Sequence, residues 1–339
     1  MKVIKPYHEH ISKEGMTPYQ FIEKIGRTCY KSEDKITDDS AVRFVKGLCS
    51  RKHYAMIEHY WVHIKYTGIY EELMKGLSIF AKCDCDLMGE ATDILRHVYI
   101  TDVYDVYISA PLRVFFDMVT ALGVRDLNTD PIDSVVDEML SCVGNYFSEI
   151  FPQCFSYKNT RHFRIMSEEN FCKDLSGQLE YSRSLREQEI MKHRTHTVLF
   201  VCDRGVSHEL VRHRPCSFAQ ESTRYCNYSQ GKFDSEITVI EPFFFDKDSL
   251  LYNDWEVLCF TSEKAYLAML EAGATPQEAR SVLPNSLKTE IIMTCNETEW
   301  QHIVNLRAKG TTGAPHPQMK EIMQPWYEEL IELSEGRIK

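Results

Sequence analysis

The first half of the chain alternates between helical and strand-like patterns of apolar residues. Apolar side chains recur at helical spacing over residues 40–48, which predicts a helix. Residues 61–66 alternate instead, with His63 and Lys65 on the polar face, which predicts a half-buried antiparallel strand. Residues 68–196 carry mixed helical patterns and no recognisable catalytic motif. We interpret this segment as a mainly helical inserted subdomain.

In the second half of the chain, the ends of the predicted helices and strands are more clearly marked. The apolar run 197–202 predicts a strand, and Asp203 can cap a helix that continues to about Arg214. Residues 254–271 predict a long helix, and residues 290–295 predict another strand. Three further helices are indicated by a capping box at Thr275 to Glu278, by a cap at Asn296, and by the C-terminal apolar positions Met319, Ile322, Met323, Trp326 and Leu330.

The composition is typical of a globular enzyme, and the net charge disfavours some classes of binding partner. The 339 residues are 43% hydrophobic and 26% charged, with 39 basic against 50 acidic side chains and a net charge of −11. Such a surface opposes binding to nucleic acid or anionic lipid, so we expect neither a nucleic-acid partner nor a membrane. Residues 161–224 nevertheless hold 11 basic and 9 acidic side chains, which favours a small phosphorylated substrate in a pocket.

The N-terminus and the cysteines point to a reducing compartment. The first ten residues are polar, and no stretch approaches the ~18 apolar residues of a membrane span, so we expect a cytoplasmic protein. The 12 cysteines lack the spacing of a zinc site, and we interpret them as reduced, semi-buried side chains. Cys83 and Cys85 form the single close pair, and no second pair of ligands follows. We therefore expect no metal site.

The densest candidate chemistry is a cationic cluster at the end of the helix after Asp203. Arg212, Arg214 and Arg224 are interleaved with hydroxyl and amide side chains, a set that suits a phosphate ester. A solvated helix end paired with nearby glutamates is the alternative interpretation. Arg307 favours the ligand-binding interpretation over the solvated helix end. Helical spacing places it on an apolar face, where a guanidinium needs an anionic or carbonyl partner.

These residues carry a family resemblance. Arg212-His213-Arg214, seven further residues, then Ser222 and Arg224-Tyr225 resemble the signature of flavin-dependent thymidylate synthases. Three other segments match in the family's order: Glu58-His59 before a strand, Ala279 to Pro284, and the block from Asn296 through Asn305-Leu306-Arg307 to Gln318. The resemblance covers about 40–67 and 197–323, which leaves 68–196 as an insertion.

The resemblance implies a homotetramer that binds dUMP, FAD, NADPH and 5,10-methylenetetrahydrofolate, with active sites at subunit interfaces. It implies that FAD is held by His59, Trp61, Arg212, His213, Arg214, Gln220, Asn296, Thr298 and His302. It implies that dUMP is held by Glu209, Arg212, Gln220, Glu221, Ser222, Thr223, Arg224, Tyr225, Arg280 and Arg307. Arg224 and Arg280 would bind the phosphate, although Arg280 alone could equally be a surface residue. Arg307 would be the catalytic residue, its charge favouring loss of the N3 proton of uracil.

Two side chains in the motif are candidate nucleophiles, and neither is the preferred interpretation. No His-carboxylate pair is evidently placed to activate Ser222, so we assign it to nucleotide binding. Pro215-Cys216 resembles the Pro-Cys of the unrelated cysteine-dependent thymidylate synthases, and nearby arginines would lower a thiol pKa. A small space-filling thiol is the favoured interpretation of Cys216, because the surrounding motif belongs to the flavin-dependent family.

Four positions depart from the commonest family pattern. Glu209 stands where Gln is often found, His208 where Arg is frequent, Gln220 where Glu is common, and Thr298 where an Arg often reaches the flavin. A carboxylate at position 209 cannot donate a hydrogen bond unless it is protonated, which affects the predicted pyrimidine contacts. Thr298 weakens a predicted flavin contact. The phosphate-binding arginines and Arg307 are unaffected.

The sequence therefore predicts an α+β fold with a central antiparallel sheet flanked by helices. Residues 1–67 and 197–339 would form the catalytic domain, and 68–196 the helical insertion. The predicted activity is reductive methylation of dUMP to dTMP. Two alternatives stay open: a relative that transfers a hydroxymethyl or other group to a pyrimidine nucleotide, and a non-catalytic nucleotide- or RNA-binding relative.

Overall fold

Antiparallel sheets and helices form the α+β fold that the sequence predicts. The computed structural model describes residues 1–82, 98–123, 134–151, 160–224, 226–233 and 235–339. Its strands are β1 (Lys2–Ile4), β2 (Tyr7–His10), β3 (Trp61–Tyr66), β4 (Tyr99–Asp102), β5 (Val106–Pro111), β6 (Phe163–Met166), β7 (Thr195–Asp203), β8 (Ser217–Gln220), β9 (Thr238–Ile240) and β10 (Lys288–Asn296). Cys83 and Cys85 lie outside the described residues.

The helices include every one predicted above, with revised ends. They are α1 (Pro18–Tyr30), α2 (Ser40–Ser50), α3 (Tyr70–Lys82), α4 (Leu112–Gly123), α5 (Ser134–Tyr146), α6 (Glu168–Gln178), α7 (Arg183–His193), α8 (Arg204–Leu210), α9 (Leu250–Glu271), α10 (Pro276–Ala279), α11 (Glu297–Arg307) and α12 (Pro317–Leu333). Among the described residues, none of these helices is long and apolar enough to span a bilayer.

Two four-stranded antiparallel sheets take the place of a single central one. The first has the order β2-β7-β10-β8, and the second has the order β4-β5-β3-β6. β1 and β9 form a separate short parallel pair. The core of the first sheet lies against α11 and α12, where Trp300 and Trp326 are fully buried. The amphipathic C-terminal helix is thereby confirmed.

The strand predicted at 61–66 is present, but its environment differs from the prediction. β3 is a central strand, and His63 on its supposedly exposed face is buried. The reason is that α6 covers that face, with the Phe171 ring centred 5.1 Å from the His63 ring. The segment 68–196 also supplies three strands, β4 to β6, that the helical pattern did not reveal. They pair with each other or with β3, so the segment shares a sheet with the residues before it.

Capping side chains fix the helices that carry the candidate site. Asp203 Oδ1 accepts a hydrogen bond from the Val206 amide at 2.7 Å, and α8 begins there. α8 ends at Leu210 rather than near Arg214, so the prediction was four residues too long. Pro215 keeps the helix from including Arg214, because the residue before a proline disfavours the helical conformation. Val211, which a helix continuing to Arg214 would place on its core-facing side next to Leu210, lies beyond the helix end and is exposed.

Candidate active site

An ion pair joins the end of α11 to the last turn of α8. Arg307 Nη1 donates to Glu209 Oε2 at 2.5 Å, and Arg307 Nη2 donates to the Glu209 carbonyl oxygen at 3.4 Å. Both side chains are partly exposed, at 21% for Arg307 and 32% for Glu209. Glu209 thus supplies the anionic and carbonyl partners that the position of Arg307 on its helix requires.

His213 lies beside this ion pair. Its Nε2 accepts a hydrogen bond from Arg307 Nε at 3.3 Å. Burial, followed by the charge of Arg307, lowers the pKa of His213 to about 4. The imidazole is therefore neutral near pH 7, with its proton on Nδ1. That nitrogen lies 3.9 Å from Glu299 Oε1.

His213, Glu299 and His302 place three possible metal-ligand atoms within 4.8 Å of one another. Arg307 carries a fixed positive charge next to this group and already donates to one nitrogen of His213. This hydrogen bond occupies the lone pair of His213 Nε2, which a metal ion would need. The hydrogen bonding of the cluster therefore favours a polar ligand over a metal ion.

The two arginines that flank His213 differ from it in their exposure to solvent. Arg212 and Arg214 are exposed, whereas His213 is buried. Neither arginine forms an ion pair or side-chain hydrogen bond with any residue in the described part of the chain, and the same holds for the exposed Arg280. Open guanidinium groups next to a buried neutral imidazole are suited to a phosphate or diphosphate.

A second polar cluster lies where β8 ends. Gln220 Nε2 donates to Ser207 Oγ at 2.9 Å and to Thr289 Oγ1 at 3.2 Å. Ser207 is two residues before Glu209 on α8, so this helix connects the two clusters. Glu221 is buried, and its Oε2 accepts a hydrogen bond from Lys288 Nζ at 2.9 Å.

No motif in the sequence indicated that Lys288 is the cationic partner of Glu221. Lys288 also donates to Glu290 Oε1 at 2.7 Å, and Lys31 forms an ion pair with Glu290. Burial opposes the charge of Lys288, but its two carboxylate neighbours hold the pKa of the ammonium above the ordinary value. Residues 288 and 290 share one face of β10, and a Lys and a Glu two apart in an apolar strand was the signal that could have identified them.

The remaining dUMP-binding candidates surround a turn after β8. Thr223 is buried, Ser222 is half-buried and Arg224 is exposed. The Ser222 hydroxyl accepts a hydrogen bond from the Arg224 amide at 3.4 Å. Tyr225 lies outside the described residues.

Three of the predicted flavin-binding side chains are enclosed within the chain. His59 Nδ1 shares a hydrogen bond with Thr294 Oγ1 at 2.7 Å, and burial lowers the pKa of His59 to about 3. Asn296 caps α11 and donates from Nδ2 to the Lys192 carbonyl at 2.9 Å. The Trp61 ring is buried and stacks 5.4 Å from Tyr99.

The two other predicted flavin contacts on α11 are accessible. Thr298 and His302 are both exposed and lie four residues apart, on the same face of the helix. Glu58, the other half of the early Glu-His pair, forms an ion pair with Arg113, a partner that no sequence motif indicated. The predicted contacts with FAD and dUMP stay predictions at all of these positions.

Comparison with known proteins finds a family model and several curated relatives. Residues 153–334, more than half of the chain, match the model "Thymidylate synthase complementing protein". The "Flavin-dependent thymidylate synthase" of Pyrococcus furiosus is 32% identical over 150 residues, which cover 44% of this chain and 59% of that protein. That of Pyrococcus horikoshii is 37% identical over 125 residues, which cover 37% of this chain and 51% of that protein.

These matches leave part of each relative uncovered, since the chain spans between half and two thirds of their length. Among solved structures, a UMP/dUMP methylase PolB from Streptomyces cacaoi bound with 5-Br dUMP has a TM-score of 0.38 at 18% identity. That alignment covers 49% of this chain and 78% of the methylase chain.

Proposed function

Because this chain belongs to the thymidylate synthase complementing protein family, the family of flavin-dependent thymidylate synthases, we propose that it reductively methylates dUMP to dTMP. The carbon donor would be 5,10-methylenetetrahydrofolate, and NADPH would be the reductant through FAD. The observation that carries this proposal is the cluster of Glu209, Arg307 and neutral His213 beside Arg212 and Arg214, which have no bonded partner among the described residues.

The donor set of this chain fits a flavin cofactor. Arg212 and Arg214 present open guanidinium groups that suit the diphosphate of FAD, and no metal ion is required. His213 contributes a neutral imidazole, and the exposed face of α11 contributes Thr298 and His302. When bound, FAD supplies the hydride chemistry that side chains cannot provide. The residues of this chain would bind it, orient it and set the local charge.

The dUMP phosphate would be bound by Arg224 and Arg280, which are both exposed. Glu221, Ser222 and Thr223 would bind the rest of the nucleotide. Lys288 supports this arrangement, because its ammonium holds the buried Glu221 carboxylate in place.

Arg307 would provide the electrostatic part of the mechanism. A fixed positive charge against uracil favours loss of the N3 proton and stabilises the negative charge that develops on the ring. Glu209 orients the guanidinium but also offsets part of its charge, so the nucleotide would have to share Arg307 with this carboxylate. Arg307 is accordingly the catalytic residue in this proposal, and Glu209 positions it.

A protein nucleophile is not part of this proposal. The Ser222 hydroxyl is bonded to the Arg224 amide, and no described histidine or carboxylate hydrogen-bonds to it. Cys216 packs with Phe218 against the apolar core of the first sheet. Both observations favour hydride delivery to the nucleotide over covalent attack by a side chain.

We also propose that the chain assembles as a homotetramer. The N-terminal half of α9 exposes an apolar stripe in which Leu250 is 81% and Leu258 is 64% accessible. Leu251 and Val257 extend the stripe, and a patch of this kind marks an interaction surface. The cytoplasmic location and the 68–196 insertion stay predictions. The family match begins at residue 153, within that segment.

The first test is the visible absorption spectrum of the purified full chain, followed by an assay with dUMP, NADPH and 5,10-methylenetetrahydrofolate. We expect a bound flavin spectrum and formation of dTMP that requires all three substrates. A colourless protein that takes up no FAD would overturn the proposal and favour a nucleotide- or RNA-binding relative. Consumption of dUMP without dTMP would instead identify a relative that transfers a different group.

A further inference from the structure

Two cysteines face each other where β8 and β10 approach the candidate active site. We propose that Cys216 and Cys295 are a redox-sensitive pair, which a small disulfide such as oxidised glutathione converts to an intramolecular disulfide. Both are free thiols in this structure. The inference rests on the strand register and does not depend on the proposed function.

The register of the sheet places the two cysteines directly opposite each other. Thr294 lies opposite Ser217 in the antiparallel pair, so the next pair along the ladder is Cys295 with Cys216. The Glu221 amide donates to the Glu290 carbonyl at 2.8 Å, which makes those two residues a hydrogen-bonded pair.

Hydrogen-bonded and non-hydrogen-bonded pairs alternate along an antiparallel ladder. The cysteine pair is five steps from the pair formed by Glu221 and Glu290, and it is therefore non-hydrogen-bonded. In such pairs the Cα atoms lie about 4.5 Å apart and the side chains approach closely. This separation falls within the range of roughly 4.4–6.8 Å that a disulfide tolerates.

Both thiols point to the same side of the sheet. Cys295 and Met293 lie in the core beneath β10, and Cys216 and Phe218 pack against the same core from β8. Burial, together with a hydrogen bond to Cys216, holds the pKa of the Cys295 thiol well above its ordinary value. Cys216 is the more accessible of the two and is the one that an oxidant in solution can reach first.

The reaction is a balanced thiol–disulfide exchange. The Cys216 thiolate attacks one sulfur of oxidised glutathione, forms a mixed disulfide and releases one glutathione thiolate. The Cys295 sulfur then attacks Cys216 Sγ, and its proton passes to the second glutathione thiolate as that group leaves. The protein loses two electrons, and one glutathione disulfide is reduced to two thiols.

The disulfide would tie together two parts of the candidate site. The Cys216 amide donates to the His213 carbonyl at 3.2 Å, which closes the turn after Arg212. Cys295 immediately precedes Asn296, the residue that caps α11. A covalent bond between the cysteines would therefore fix the turn that carries His213 to the start of the helix that ends at Arg307.

The test is disulfide mapping of the full chain after incubation with oxidised glutathione, acid quenching, alkylation and trypsin digestion. We expect the peptide that contains Cys216 to be linked to the peptide that contains Cys295, and two of the 12 thiols to be lost. Dithiothreitol should restore both thiols. Cys216→Ala and Cys295→Ala should each abolish the link.

Cys202→Ala is the matched control, because Cys202 faces the same core from β7 but lies opposite Thr289 on β10. This variant should form the disulfide to the same extent as the unmodified chain. A mixed glutathione disulfide that persists on Cys216 while Cys295 is alkylated would overturn the proposal. A link from Cys216 to any other cysteine would overturn it as well.

Discussion

Arg307 donates to both the carboxylate and the carbonyl oxygen of Glu209, so one residue of α8 fixes the guanidinium at the end of α11. Glu209→Gln keeps an acceptor and removes the charge, and we expect it to retain turnover. Glu209→Ala removes the side-chain partner, and kcat/KM should fall by about tenfold, the effect of roughly one charge-assisted hydrogen bond. Steady-state kinetics with dUMP would compare the two. Equal losses in both variants would contradict a positioning role.

Arg307→Ala should abolish dTMP formation, because it removes the positive charge proposed to lie against uracil. Cys216→Ala should remain active, since the proposal assigns no nucleophilic role to that thiol. Single-turnover formation of dTMP by flavin-loaded protein is the measurement. An inactive Cys216→Ala with a normal flavin spectrum would instead favour covalent catalysis.

Arg212→Ala and Arg214→Ala should each weaken FAD binding by about 10- to 100-fold, because each removes a charge-assisted contact to phosphate. Their Tm in the absence of FAD should stay unchanged, since both side chains are exposed and unpaired within the described residues. Arg183→Ala, at an exposed arginine on α7, is the control and should bind FAD normally. Quenching of flavin fluorescence would measure the affinity.

Acid should destabilise the fold through His59. Burial lowers the pKa of this histidine to about 3, whereas in the unfolded chain it is about 6.5. Below pH 6.5 the unfolded state binds the extra proton, so the His59 contribution to the free energy of unfolding falls by about 1.4 kcal/mol per pH unit towards pH 3. Urea unfolding between pH 7 and pH 4 would measure the slope.

The control for this slope is a pair of substitutions. His59→Gln should be less stable at pH 7 and should show a shallower loss of stability with acid. Thr294→Val, which removes the hydrogen-bond partner of His59 but no titratable group, should keep the slope of the unmodified chain. An unchanged slope in His59→Gln would show that the acid sensitivity arises elsewhere.

Leu258→Asp should lower the oligomeric state, because it places a charge in the exposed apolar stripe of α9. Light scattering coupled to size-exclusion chromatography would report the mass. Leu185→Asp on α7 is the matched control, since Leu185 is also exposed, at 51%, but lies outside the stripe. An unchanged mass in Leu258→Asp would exclude this stripe as the interface.

Local signals in the sequence determined much of the second half of the fold. Asp203, Thr275 and Asn296 cap the helices predicted for them, because an N-cap depends on a side chain and an amide only two or three residues away. The apolar positions of α12 are buried as their spacing predicts. The Arg212-His213-Arg214 motif and the family were likewise readable from the residues alone.

The tertiary structure decided which groups meet. His63 was predicted to be exposed and is buried, because the packing of α6 on β3 is not encoded in the alternation of β3 itself. Arg307 and Glu209 are 98 residues apart, and Cys216 and Cys295 face each other through strand register. Contacts between distant segments depend on how whole elements pack, and a local pattern of side chains does not contain that information.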